Sequence, residues 1–119
     1  MITKRKEQRY IEEIEDSIRK YSKKLPLSIF ARTTREREFS EKDFEIVSDV
    51  QNILQSICQD WVNRIIDDKE ISEWAGKIMY EKYNPSILQA LLNDDVFDFI
   101  MLLDDYYFYK TGEKENRNN

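Results

Sequence analysis

From Ser40 onward, an apolar side chain returns every third or fourth residue: Phe44, Val47, Val50, Leu54, Ile57, Trp61 and Ile65. That spacing fits only the 3.6-residue period of a helix with one buried stripe. It predicts a long helix over residues 40–66. Ser40 supplies an N-cap hydroxyl, and Asp43 stands three positions on, as a capping box requires.

The rest of the chain follows suit. Tyr10, Ile14, Ile18 and Tyr21 share one stripe with Ile11 beside them, predicting a first helix over 3–24 that Pro26 ends. Residues 25–39 lose the period and read as a connecting stretch, with Arg32, Arg35 and Arg37 alternating with Glu36 and Glu38. After "DDKEIS", Ser72 is placed to cap a helix holding Trp74, Ala75, Ile78, Met79 and Tyr83. Asn84 followed by Pro85 opens a short one, "SILQALLN". Asp94 or Asp95 caps the last helix, with Val96, Phe99, Ile100, Leu103 and Tyr107 on one face and Gly112 as its terminator. With two glycines and two prolines the chain cannot supply the turns of a β fold. The expectation is an all-α, single-domain bundle of four to five helices with short connections over residues 1–110, and a disordered C-terminal tail over 111–119.

Several chemistries fall away. The chain has no histidine, hence no ordinary general base, no ordinary zinc ligand and no Ser-His or Cys-His nucleophile. Cys58, the only cysteine, lies in the helical apolar pattern and reads as a buried structural thiol. No glycine-rich phosphate loop exists, and no EF-hand spacing. No catalytic residue, metal ligand or cofactor is expected, and the chain does not read as an enzyme. No apolar run reaches membrane-spanning length and no signal-like start is present, so the default placement is cytoplasmic.

Charge is the remaining signal. Residues 1–39 carry a balance of +4 and residues 40–119 one of −9. An acidic body suits a basic protein partner better than a nucleic acid. Acidity peaks in "NDDVFDFIMLLDDYYFYK", within a run from Lys82 to Lys110 that holds no other lysine or arginine. Asp94 and Asp95 fit a helix N-terminus, but Asp104 and Asp105 fall late in the helix, where the dipole disfavours anions. Asp94, Asp95, Asp98, Asp104 and Asp105, with Tyr106 and Tyr109 beside them, are therefore the expected partner-binding surface. Asp67, Asp68 and Glu70 in the preceding acidic turn are added to it. The competing reading is a second core face with aspartates at its rim.

One stretch has a family look. "WVNRIIDDKEISEWAGKIM" followed by "ILQALLNDDVFDFIMLLDDYYF" resembles the layout of small acidic immunity proteins of bacterial toxin systems, colicin-type and contact-dependent inhibition modules among them. It spans residues 61–108, with Trp74-Ala75 two positions after Ser72, and residues 1–40 do not align. The resemblance implies a stoichiometric inhibitor that occludes a basic toxin domain such as a nuclease, and charge mimicry of a polyanion agrees with it. The alternative is a phage- or mobile-element-encoded regulator or anti-defence inhibitor of a nucleic-acid enzyme. Neither reading sets an oligomeric state.

Overall fold

The computed structural model describes residues 2–24 and 39–112, with side chains from Gln8 onward in the first helix. The stretch expected as a connection lies almost wholly outside them, as does the tail beyond Gly112. Five helices form: α1 (Ile2–Lys23), α2 (Glu41–Val62), α3 (Asp68–Gly76), α4 (Pro85–Leu91) and α5 (Asp94–Thr111). A π-helical stretch, Lys77–Lys82, prolongs α3 with wider turns. The protein is an all-α helical bundle.

Helix α5 sits at the centre. Pairs such as Tyr10–Tyr109, Glu15–Tyr106 and Tyr21–Phe99 show α1 running antiparallel to it. On its other side α3 packs against it, with Asp68 meeting Tyr106 and Ser72 meeting Leu103 and Tyr107. Helix α2 packs chiefly against α1 and also touches α3; in its N-terminal half, Tyr83 donates to Asp49 at 2.5 Å and Lys82 to the same carboxylate at 3.1 Å. Burial and the Asp49 carboxylate push the Tyr83 phenol up to about 12. The core collects Ile14 and Ile18, Val50 and Leu54, Ile71 and Ile78, Leu88 and Leu91, and Ile100 and Leu103. Cys58 lies within it, its thiol pushed up to about 12 by burial, which leaves it a packing residue.

Caps explain several boundaries and correct three expectations. Ser40 caps α2 through a complete capping box with Asp43, as its spacing predicts. Helix α3 is capped by Asp67, whose side chain accepts from the Glu70 amide while Glu70 reaches back; it is not capped by Ser72. Ser72 lies one turn further in, where its hydroxyl donates to Leu103 O at 2.8 Å and accepts from Tyr107 N at 3.0 Å. It bridges two groups that one turn of α5 would pair directly. Helix α5 is capped by Asn93, accepting from Val96 N at 3.0 Å, and not by Asp94 or Asp95, which occupy its first turn. The helix includes Thr111, so the expected tail begins one residue early; Gly112, with a φ of 69°, ends it in the left-handed conformation.

Helix α2 stops at Val62, short of the expected residue 66. Ile65 N donates to Asp60 O at 2.8 Å and Arg64 N to Trp61 O at 3.1 Å, the paired bonds of a Schellman stop. Arg64 occupies its left-handed position, with a φ of 62°. Ile65 thereby leaves the apolar stripe and is 68% exposed, and Phe44 at the other end is 53% exposed. The periodic pattern overran the core at both ends.

Candidate functional site

Four helices meet at one polar junction. Each contributes by position: Glu15 from α1, Trp61 from α2, Asp68 at the start of α3, and Tyr106 and Lys110, four apart on α5. The Tyr106 hydroxyl lies 2.6 Å from Glu15 Oε2 and 3.1 Å from Asp68 Oδ1. A phenol has one proton, and the shorter contact assigns it to Glu15. Asp68 Oδ1 has its own donor in the Trp61 indole, at 2.8 Å. Lys110 Nζ completes the set, 2.9 Å from Glu15, 3.0 Å from Asp68 Oδ2 and 3.2 Å from the Tyr106 oxygen.

Two carboxylates share one ammonium inside the junction. Burial pushes Glu15 and Asp68 up, but hydrogen bonds outweigh it and hold both below their ordinary carboxylate values. Tyr106 and Lys110 supply them to Glu15; Trp61 and Lys110 supply them to Asp68. The same carboxylates raise Lys110 against the opposing effect of its own burial. Tyr106 is raised by burial and by both carboxylates. Among the described residues no buried side-chain polar atom lacks a partner.

A cleft of about 620 Å³ opens beside the junction, walled by Trp61 and Lys110 and rimmed by Asp67, Glu70 and the exposed Ile65. Its carboxylates are largely answered from within: Lys110 serves two, the α3 capping box engages Asp67 and Glu70, and Arg19 lies 5.7 Å over the Trp61 ring.

The expected partner surface is therefore divided. Asp67, Asp68 and Glu70 are gathered with Tyr106 at the C-terminal end of α5. Tyr106 is fully buried, so it is not an exposed anchor: the packing of α1 and α3 over this part of α5 encloses it. Tyr109 is half-buried, its ring 5.9 Å from that of Tyr10. Asp104 and Asp105 are also half-buried. Asp104 lies in the seam with α3, where a Cβ on Gly76 would come within 2.8 Å of its Oδ1. Burial, then the charge of Asp105, raises the Asp104 pKa. The close approach is possible because α3 turns small residues, Ser72, Ala75 and Gly76, toward α5. Asp94, Asp95 and Asp98 are exposed at the other end of α5, and no ion pair holds them among the described residues.

Glu15, Trp61 and Lys110 are not among the residues expected at the partner surface. Lys110 carried the one available signal: a lone cation four residues after Tyr106, closing a long acidic run. Among the described residues, no three His, Cys, Asp or Glu side chains converge as a metal site would require, and no helix is long and apolar enough to cross a membrane. No protein-family model matches this chain, and comparison with curated proteins and with solved structures found no match.

Proposed function

We propose that this chain is a small acidic binding protein that neutralises a basic partner by stoichiometric occlusion, and that the partner is a bacterial toxin domain. The observation that carries the reading is the outer face of α5. Asp94, Asp95 and Asp98 stand there exposed, with no ion pair among the described residues, beside the exposed Met101. Unneutralised carboxylates steer a basic protein in solution, and a flexible thioether gives it an adaptable apolar contact. At the other end of α5, Glu15 and Asp68 already hold Lys110 inside the fold. The resemblance of residues 61–108 to immunity proteins names the biological setting and rests on sequence layout alone.

The test is co-expression with a basic toxin domain identified by co-purification with this chain. Restored growth, with a 1:1 complex whose association slows as salt rises, is the expected result. Unrelieved toxicity with no complex in calorimetry would sink the proposal.

A further inference from the structure

Between α1 and α5, close to the bare aspartates, runs a groove of about 270 Å³. At its base the edges of the nearly buried Tyr21 and Phe99 and the half-exposed Leu102 form a narrow apolar strip, with Ser17 beside it. Its rim carries Glu13 from α1 and Asp95 and Asp98 from α5. Asp95 and Asp98 are three apart and so lie on one side of their helix. Among the described residues the one cation lining the groove is Lys20, whose ammonium rides 5.8 Å from the centre of the Tyr21 ring.

That volume suits one long side chain rather than a helix or a cofactor. An apolar strip under an acidic rim fits a methylene stem that ends in a cation, the stem lying on carbon while the head reaches the carboxylates. Two carboxylates on one side of a helix match the planar, multi-donor fork of a guanidinium better than a single ammonium point. Lys20 shows within the chain that a cation over this strip is tolerated, and its charge competes for the same rim. We propose that the α1–α5 groove seats an arginine side chain of the basic partner, its stem on Leu102 and Phe99 and its guanidinium between Asp95, Asp98 and Glu13. This rests on the binding role proposed above and names the anchor that role uses.

The experiment uses the chain alone, with N-acetyl-arginine amide as the probe in an amide NMR titration. The citrulline analogue, equal in shape and uncharged, is the control. Saturable shifts are expected at Glu13, Lys20, Asp95, Asp98 and Leu102, with a dissociation constant on the order of millimolar and none from citrulline. Asp95→Asn with Asp98→Asn should weaken the probe about tenfold, as loss of charge-assisted bonds does, and Lys20→Gln should tighten it. These positions are exposed, and circular dichroism checks that each variant folds. Shifts spread equally over Asp67 and Glu70, or reproduced by citrulline, overturn the groove. Groove binding without toxin neutralisation leaves the groove standing and removes the toxin reading. Neutralisation undiminished in the Asp95→Asn, Asp98→Asn variant does the reverse.

Discussion

The two ends of α5 are built from the same residue types, aspartate and large aromatics, and put them to opposite use. At the C-terminal end, Tyr106 and Lys110 bind carboxylates that arrive from α1 and α3, and Trp61 of α2 donates to one of them. At the N-terminal end, Asp94, Asp95 and Asp98 face solvent with no cation among the described residues paired to them. The deciding difference is a single lysine. Where Lys110 stands, acidity ties helices together; where the run lacks any cation, the carboxylates stay exposed and are the ones proposed to meet a partner. Stability should therefore answer to changes at one end, and binding to changes at the other.

The largest effect is expected at Tyr106. Tyr106→Ala removes a fully buried ring and the hydroxyl that donates to Glu15, and chemical denaturation should show a loss of about 3–5 kcal/mol. Tyr106→Phe keeps the ring and isolates the hydroxyl, with an expected cost of about 1–3 kcal/mol. If Tyr106→Ala melts like the parent, the junction is ornamental and the contrast between the ends fails. Lys110→Met comes next. Its side chain is 40% exposed, against 18% for Glu15 and 32% for Asp68, so solvent screening limits the loss to about 1–2 kcal/mol. Added salt should narrow the gap between Lys110→Met and the parent.

Acid should act on the same end. Glu15 and Asp68 titrate lower in the folded chain than in the unfolded one, so the unfolded state binds more protons as pH falls. Their contribution is complete above their unfolded values, near 4.5 and 3.8, and is lost as pH drops through the lowered folded values. Asp104 is shifted the opposite way by its burial, so its contribution is greatest in acid and opposes the decline. Denaturant midpoints recorded from neutral pH into acid should fall for the parent, and fall less for Glu15→Gln, which has less to lose. Equal slopes for the two would show that the junction is not the acid-sensitive element.

The helices themselves were legible because stripes and caps are local. Ser40 with Asp43, Asn84 with Pro85, and Gly112 all do what their spacing predicts. Ser72 misled because its hydroxyl is a plausible cap in sequence but is spent on the backbone of α5, a partner 31 positions away. Tyr106 misled for the same reason. Apolar periodicity gives one face of a helix, whereas α5 lies between α1 and α3 and buries two, so an aromatic off the main stripe is still core. Asp104 and Asp105 looked like surface because the dipole argues against anions late in a helix; only the small-residue seam of α3 shows why Asp104 lies half-buried there. Arg64 gave no signal, since arginine has no preference for the left-handed region it occupies.

A smaller effect is expected at Arg64. A non-glycine residue at a left-handed stop carries strain that glycine avoids, while glycine adds freedom to the unfolded chain. The balance predicts that Arg64→Gly raises stability by about 0.5–1 kcal/mol in thermal or chemical melts. Arg64 lies beside the cleft and distant in sequence from the α5 aspartates, so this change should leave the arginine-probe titration untouched. A stabilised variant with altered probe binding would mean that the two ends communicate.

The smallest change in stability belongs to the bare end, and it sharpens the contrast most. Asp94 and Asp95 lie in the first turn of α5, where the helix dipole favours them by about 0.3–1 kcal/mol each at low salt. Asp98 lies beyond the region where that effect is strong. Asp98→Asn should therefore shift stability by no more than about 0.5 kcal/mol, and Asp94→Asn should cost slightly more, a difference that salt erases. Binding should follow another order, because Asp95 and Asp98 line the groove and Asp94 does not. Melts and titrations run side by side on the three single variants separate the two properties. If Asp98→Asn destabilises the chain as much as Tyr106→Phe, the N-terminal aspartates are structural after all. The two ends of α5 would then be built on one plan.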